Sequence, residues 1–527
     1  MSRLGFIRRV GVVALVSLSA CVIRLADRNS PIPNGGVTGE PANCGAIPIE
    51  PRAAEGQTPE YRYVGRFVFL DQKDANGQPY ARFDWSGNQI SARFMGSEVS
   101  FTVLDHENDL LFQPIIDGEI VPSDYPAGMR LYTTRLDGRS KYLIKSGLDP
   151  NVPHEVILHR NSEAQGARVT FAGFDFGPGG RLLPPKIRAR KIEIIGDSIT
   201  CGYGNEGGNA TCPFDVVLEQ VPLKNPDGTP VLNPDGTPKM RDVKLPVTEN
   251  NYKAYGSIAG RELDAEVTTL CWSGKGVNLN YKERGCTAPE PDCAQNVPLP
   301  GGGLADIDGK VVVPDLYDRR FASLNLNPSA VAEANPKVVA NAIAALEAEK
   351  RLIAPVEIGP YDFSKERPEE QPQVVLIHLG TNDYARDQVT NATGETSYDL
   401  TTGFPGDNIP DQTIQTRGGE RDAFLNRTRQ LVVDVRARRP NAHIMIAVPP
   451  MLTNQFPFEG ARDDIRAAYM TVMNDFKAKG DNKVYVIEFV EQGLRYGLGC
   501  DYHPNLEVHR IMADQFIGAV RSKTCWN

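Results

Sequence analysis

Apolar residues recur along this chain at two different spacings, and the change from one to the other falls near residue 190. Across residues 61–186 they come in short runs, at 65–70, 89–94, 99–104, 155–159 and 167–171. Turn-forming pairs such as Asn76-Gly77, Asp117-Gly118 and Asp137-Gly138 stand between these runs. Short strands at regular intervals, separated by turn signals, predict an all-β sandwich of the jelly-roll kind. Beyond Gly196 the spacing lengthens. One-sided apolar patterns predict helices over residues 251–263, 339–353, 422–438 and 460–477. Short, largely apolar or β-branched runs at 191–195, 266–272, 374–379, 443–448 and 484–489 predict strands. Strand alternating with helix implies a parallel sheet flanked by helices, an α/β domain.

The rest of the chain is spacer and loop. Residues 21–60 are rich in Pro, Gly and Asn without a hydrophobic period and read as a linker. Two long insertions, 213–249 and 281–335, lengthen the α/β domain and could rim a cleft. The first repeats Asn-Pro-Asp-Gly-Thr-Pro at 225–230 and 233–238, a doubled turn signal that predicts a protruding hairpin or loop. Calcium binding is the weaker alternative there, because the spacing is not that of a known calcium loop. The expected order is a targeting segment at 1–20, a linker at 21–60, a β-sandwich at 61–186 and an α/β domain at 187–527.

Composition adds the compartment. A chain of 527 residues, 41% hydrophobic and 23% charged, is a soluble globular protein of two domains. The net charge is −9 with no basic cluster, which argues against a nucleic-acid partner. Arg3, Arg8 and Arg9 precede an apolar stretch, 11–20, that is too short to span a bilayer and reads as a targeting segment. Leu18-Ser19-Ala20-Cys21 resembles a bacterial lipobox, which would make Cys21 the lipidated first residue of an envelope or surface lipoprotein. Ordinary secretory cleavage beside a chance cysteine is the alternative. Loss of residues 1–20 removes three Arg and takes the charge to −12. Eight cysteines remain, an even number that suggests disulfides in an exported protein. Proximity in sequence suggests Cys201–Cys212, Cys286–Cys293 and Cys500–Cys525. Neither a CxxC pair nor HExxH occurs, and no metal or cofactor is expected.

Candidate chemistry begins where the strand at 191–195 runs into Gly196-Asp197-Ser198, since reacting groups collect at the carboxyl ends of strands in open α/β sheets. Three more segments follow in order: Trp-Ser-Gly-Lys-Gly-Val at 272–277, Gly-Thr-Asn-Asp at 380–383 and Asp-Tyr-His-Pro-Asn at 501–505. Any one of them suits an ordinary turn; the ordered set points to serine-dependent acyl transfer. A serine hydroxyl needs a neighbouring base, and among seven histidines His503, in a turn-rich segment stiffened by Pro504, is the candidate. His378 lies inside an apolar run and reads as core, while His106, His154 and His159 fall in the β region and read as structural. GxSxG is absent, which argues against an α/β-hydrolase lipase.

The four segments resemble the sequence blocks of the SGNH (GDSL-type) esterases. The wider pattern is a β-sandwich directly ahead of Ile-Gly-Asp-Ser-Ile-Thr-Cys-Gly-Tyr-Gly, then Trp-Ser-Gly-Lys-Gly-Val and Cys-Asp-Tyr-His-Pro-Asn. It resembles carbohydrate esterase family 2 over residues 60–527, apart from the two insertions. The resemblance implies a jelly roll followed by an SGNH hydrolase domain, and removal of acetyl groups from O-acetylated polysaccharide or oligosaccharide such as acetyl xylan. It assigns Ser198 as nucleophile and His503 as base. The oxyanion hole would comprise the backbone N–H groups of Ser198 and Gly276 and the side chain of Asn382, with Gly274 the competing glycine. One departure stands out: the superfamily carries an Asp three positions before the His, where this chain has Cys500. Three arrangements remain open for His503: Asp501 in a different geometry, another carboxylate, or a backbone carbonyl in a Ser–His dyad, the last being favoured together with a weakly placed Asp501. Other readings are an esterase or acetyltransferase acting on different short-chain esters, and a sugar-binding envelope lipoprotein without catalysis. The β-sandwich is expected to shield its neighbour rather than to hold sugar.

Overall fold

The computed structural model describes residues 36–40, 54–56, 58–104, 110–122, 134–135, 140–164, 169–222, 229–281, 312–322, 360–384, 389–390, 396–397, 419–457, 460–493 and 495–526. Cys21, Cys44, Cys286, Cys293, His106 and the helix expected at 339–353 lie outside these residues.

The N-terminal half is a sandwich of two antiparallel sheets. One orders its strands Lys141–Ser146, Glu98–Leu104, Val169–Asp175, Pro79–Phe83 and Val68–Lys73. The other is built on Arg181–Leu183, Gln89–Met95, His154–Arg160, Leu111–Ile116 and Glu119–Ile120, with Arg62–Val64 also pairing onto Gln89–Met95. Burial alternates strictly along Gln89–Met95, as expected when one face of a sheet is turned to the core. Phe83, Ile90, Phe94, Phe101, Phe112, Leu158 and Phe171 fill the space between the sheets. The run expected at 65–70 starts late: Arg62–Val64 pairs into one sheet and Val68–Lys73 into the other, so the chain spends the residues between them crossing over.

The second half is a five-stranded, all-parallel sheet. Its strands are β1 (Arg190–Gly196), β2 (Ala265–Cys271), β3 (Val374–His378), β4 (His443–Val448) and β5 (Val484–Glu488), in the spatial order β2-β1-β3-β4-β5. Both faces are covered, so even the polar residues Lys191 and Glu193 of β1 and Glu266 of β2 are buried. Helices α1 (Ser198–Cys201), α2 (Tyr255–Glu262), α3 (Gly419–Arg438), α4 (Ala461–Ala478) and α5 (Leu506–Thr524) follow in chain order. One core lies under α3 and α4, with Ile377, Ile446, Ile465 and Tyr469 among its members; the other lies under α2 and α5, with Ile194, Leu376, Met512 and Phe516. The sheet order reverses between β1 and β3, the position at which open α/β sheets leave a crevice beyond the strand ends. The insertion at 213–249 forms an antiparallel hairpin, Val216–Pro222 with Met240–Leu245.

Part of the expected linker is docked. Val37 bridges to Ile487 on edge strand β5, Val486 N–H donates to Thr38 Oγ1 at 2.9 Å, and Lys523 Nζ donates to the Gly39 carbonyl at 2.7 Å. An edge strand presents unpaired backbone groups, and the short proline-free stretch 36–40 of the linker occupies them. Two proximity-based disulfides are corrected as well. Cys201 bonds Cys271 rather than Cys212, and Cys500 bonds Cys212 rather than Cys525. Closeness along the chain gives way to closeness of strand ends: Cys201 lies just beyond β1, and Cys271 ends the neighbouring β2.

The two domains share a buried polar seam. Arg62 of the sandwich donates to Glu266 Oε2 at 2.6 Å, and Lys191 of β1 reaches the same carboxylate at 2.5 Å. Arg66 approaches Glu193 at 3.7 Å, with both side chains 1% exposed. His159 Nε2 lies 3.1 Å from Asn251 Oδ1, so the β-domain histidine is a seam residue, and burial pushes it down to about 3. His154 sits beside the Asp117 carboxylate at 2.7 Å.

Candidate active site

Ser198 sits where β1 ends and α1 begins. Asp197 caps this short helix, its carboxylate accepting from Ile199 N–H at 3.0 Å, an arrangement worth about 1 kcal/mol in ordinary helices. Burial pushes the Asp197 carboxyl up to about 7. The serine hydroxyl meets an imidazole from far along the chain: His503 Nε2 lies 2.8 Å from Ser198 Oγ.

What orients the imidazole is a main-chain group. His503 Nδ1 lies 2.9 Å from the backbone carbonyl of Asp501. A carbonyl only accepts, so this partner assigns the proton to Nδ1 and leaves the Nε2 lone pair facing the serine. The Asp501 carboxylate points elsewhere and accepts from Tyr203 O–H at 2.7 Å. Asp501 is therefore not the carboxylate partner of His503; it contributes its carbonyl. Two consecutive left-handed residues, Asp501 at φ 49° and Tyr502 at φ 60°, bend the chain so that this carbonyl faces a ring two residues on. Closure comes from Gly499 N–H donating to the His503 carbonyl at 2.8 Å, Cys500 N–H donating to the Gly204 carbonyl at 3.0 Å, and the Cys212–Cys500 disulfide. Tyr203 lies over the imidazole with ring centroids 4.4 Å apart and stacks on Phe214 at 3.6 Å. This cover drives the His503 imidazole down to about 4, because burial disfavours the imidazolium.

The segment after β2 forms the third wall. Asn382 Nδ2 donates to the Lys275 carbonyl at 2.8 Å, which leaves its second N–H available. Asp383, its neighbour, accepts from the N–H groups of Val277, Asn278 and Leu279 at 2.9, 2.7 and 2.8 Å. Burial pushes the Asp383 carboxyl up to about 6 even so. The expected donor Gly276 is corrected here. Its N–H is committed to Asn280 Oδ1 at 3.2 Å, and a Cβ there would fall 1.9 Å from the Leu279 carbonyl oxygen. Gly276 is glycine because the turn packs against itself and Asp383. Gly274, the competing choice, has φ +77°, and a Cβ there would meet only Tyr281 Cβ at 3.8 Å.

His378 is a packed core residue, its Nδ1 3.0 Å from Tyr255 O–H, and burial pushes it down to about 3. Three groups that matter escaped the sequence reading: Asp383, Tyr203 and Glu163, whose carboxylate accepts from Ser273 N–H at 2.6 Å. Asp383 was within reach, since it adjoins Asn382 in the third segment. Glu163 carries no local signal.

A sequence profile for the carbohydrate esterase 2 N-terminal domain matches residues 63–185, and one for the GDSL-like lipase/acylhydrolase family matches residues 317–511. A solved family two carbohydrate esterase from Clostridium thermocellum, in complex with cellohexaose, superposes with a TM-score of 0.57 at 27% identity, over 89% of this chain and 100% of that one. The chain is similar to the family 2 carbohydrate esterases. It is also similar to the cellulase/esterase CelE of Acetivibrio thermocellus, at 29% identity over 90% of this chain and 41% of that protein. An acetylxylan esterase / glucomannan deacetylase of Cellvibrio japonicus is 26% identical over 44% of this chain and 52% of that protein. The chain thus spans between two fifths and just over half of the length of these curated relatives. In this chain the sheet-rich domain and the parallel-sheet domain meet at the seam described above.

Proposed function

We propose that this protein is a serine esterase that removes O-acetyl groups from carbohydrate, of the acetyl xylan or acetylated hemicellulose type. The observation that carries the reading is the 2.8 Å approach of His503 Nε2 to Ser198 Oγ at the reversal point of the sheet. Ser198 Oγ attacks the acetyl carbonyl and its proton passes to His503 Nε2. The tetrahedral oxyanion is met by the backbone N–H groups of Ser198 and Gly274 and by Asn382 Nδ2. Collapse breaks the bond to the sugar oxygen, which leaves with the proton from His503. Water, deprotonated by the same nitrogen, then attacks the acyl-serine, and acetate departs as the serine proton is restored. The Asp501 carbonyl keeps the imidazole in the tautomer that this sequence needs.

Sugar is the favoured acyl carrier because one relative is named an acetylxylan esterase / glucomannan deacetylase, and a different one, similar over 89% of this chain, was solved with cellohexaose bound. Aromatic faces next to His503, the Tyr203–Phe214 stack and Tyr502 at 56% exposure, suit the apolar faces of pyranose rings. Cys21 and the segment ahead of it support a lipid-anchored protein of the bacterial envelope or cell surface. Acetate release from acetylated xylan and acetylated glucomannan tests the reading. Ser198→Ala is expected to lower kcat by about 10⁴-fold or more. A variant as active as the parent ends it, and preference for aryl or fatty short-chain esters over every acetylated sugar moves the assignment to a different substrate class. Tight binding of unsubstituted xylan or cellulose with no ester cleaved would favour a non-catalytic carbohydrate-binding role.

A further inference from the structure

Glu163 belongs to the β-sandwich, on the loop after strand His154–Arg160, yet its carboxylate lies against the α/β domain. One oxygen accepts from Ser273 N–H at 2.6 Å and the other from Ser273 O–H. Ser273 directly precedes Gly274, the backbone donor assigned to the oxyanion. The loop bearing Glu163 is itself rigid: Arg160 donates to the Ser162 carbonyl at 3.0 Å and to the Glu163 carbonyl at 2.8 Å, and Ser162 Oγ accepts from Leu111 N–H at 3.2 Å.

Behind Glu163 lies Glu249, whose side chain is also buried. Carboxyl oxygens of the two and Cys201 Sγ fall within 4.8 Å of one another. Since that sulfur is bonded to Cys271, the cluster reduces to an acid pair rather than a set of three metal ligands. The two carboxyls lie side by side, and the neighbouring Glu163 adds to burial in pushing Glu249 well above the usual carboxylate range, which favours its neutral form. Burial is the largest influence on both and pushes both upward. Arg160 is the nearby cation acting on Glu249.

We propose that Glu163, a side chain of the jelly roll, is a positioning residue for the oxyanion-binding segment Ser273–Gly274, and that Glu249 holds it in place. The sandwich therefore contributes to the reaction as well as covering the neighbouring domain. The segment is gripped at both ends, by Glu163 at Ser273 and by Asp383 at residues 277–279, with Asn382 fastening Lys275 between them. Oxyanion donors act only when fixed in advance, and a displacement of about 1 Å is enough to cost about 10² in rate.

This inference rests on the esterase reading, so the experiment carries Ser198→Ala as a separate arm. Initial rates on nitrophenyl acetate and an acetylated xylo-oligosaccharide are compared for the parent, S198A, E163Q, N382A, the E163Q/N382A double variant, E249A and E249Q. E163Q leaves a single acceptor oxygen where Ser273 N–H and O–H each had one, and removes the charge from both bonds. It should lower kcat about 10²-fold while KM stays within about threefold. On the N382A background the same change should cost less than about tenfold, because both residues act through one segment. E249A should lower kcat about tenfold and E249Q, which retains a donor to Glu163, should recover most of that loss. A folded E163Q with parental kcat, a loss confined to KM, or full additivity with N382A overturns the proposal. Should E163Q fail to fold, S273A decides: it keeps the backbone N–H and should lower kcat several-fold, and parental kcat overturns the proposal. A parent no faster than S198A sinks the esterase reading and takes this inference with it, whereas the other outcomes sink the positioning role alone.

Discussion

The turn that carries Ser198 and the turn that carries His503 meet at one hydrogen bond, but they are held by different means. Ser198 stands between β1 and α1, and its conformation follows from a strand, a glycine and the Asp197 cap, all within a few residues. His503 follows a left-handed pair of residues, Asp501 and Tyr502, and lies in neither a strand nor an α-helix. Its turn is shaped by Gly204, by Gln492, whose amide donates to the Tyr502 carbonyl at 2.6 Å, and by Cys212, almost three hundred residues upstream. The nucleophile is a local consequence of secondary structure, and the base is a long-range construction. In most members of the SGNH superfamily a carboxylate steadies the histidine; here a disulfide occupies that position in the sequence and a backbone carbonyl takes the hydrogen bond.

The sharpest way to break the contrast is to cut each turn loose in turn. Each has a disulfide beside it, Cys201–Cys271 under the nucleophile and Cys212–Cys500 under the base. Cys212→Ser, or Cys500→Ser, frees the turn that has nothing else covalent to define it, and kcat should fall about 10²-fold with KM little changed. Cys201→Ala with Cys271→Ala leaves β1, Asp197 and α1 in place, so kcat should fall no more than about fivefold, although Tm should drop by several degrees. Equal losses of kcat in the two experiments would erase the distinction between a locally and a remotely built turn.

A milder probe is acidity. The two turns bury their titratable groups with opposite results: Asp197 is pushed up to about 7 and His503 down to about 4, in each case because burial favours the uncharged form. Only His503 has a lone pair in the reaction. Its depressed value means that Nε2 remains free to accept a proton well below the usual imidazole range. The acid limb of kcat/KM in the free enzyme should therefore fall near pH 4, about two units below a solvent-exposed imidazole. The same shift has a stability consequence of definite sign. A histidine whose folded value lies below its unfolded one contributes stability above about pH 6.5, and this is lost as pH falls toward about 4. A rate profile that breaks near pH 6.5 would mean that the imidazole is open to water in solution.

The contrast also explains which features could be read from the sequence. The two-domain order, the parallel sheet and the four segments were legible because apolar spacing and turn residues are local properties. Cys212 and Cys500 could not be paired from sequence, since an even cysteine count leaves many connectivities open. Glu163 was invisible for the same reason; its partner Ser273 lies in the other domain. Gly274 and Gly276 were indistinguishable by spacing, and only the bond from Gly276 N–H to Asn280 Oδ1 separates them. Residues 36–40 carry no strand pattern, because what docks them is the free edge of β5 rather than anything in their own composition.

The smallest expected effect bears most directly on how the base is held. If the Asp501 carboxylate were the third member of a triad, replacing it with an amide would leave His503 in the wrong tautomer, and such a change costs about 10⁴ in kcat in serine proteases. The carboxylate instead accepts from Tyr203 O–H, and the bond to Nδ1 comes from the Asp501 carbonyl, which every residue possesses. Asp501→Asn preserves an acceptor for Tyr203 and tolerates the left-handed conformation at φ 49° that most side chains resist. It should therefore lower kcat by no more than about fivefold, and loss of the Asp501 charge, which raises His503, should move the acid limb slightly lower. Asp501→Val should do more damage, because a β-branched residue is strained at positive φ and the carbonyl would turn away from the ring. Measured together, the two substitutions separate carboxylate from carbonyl. A large loss from Asn assigns the carboxylate, whereas a loss confined to Val identifies the backbone as the group that holds the imidazole.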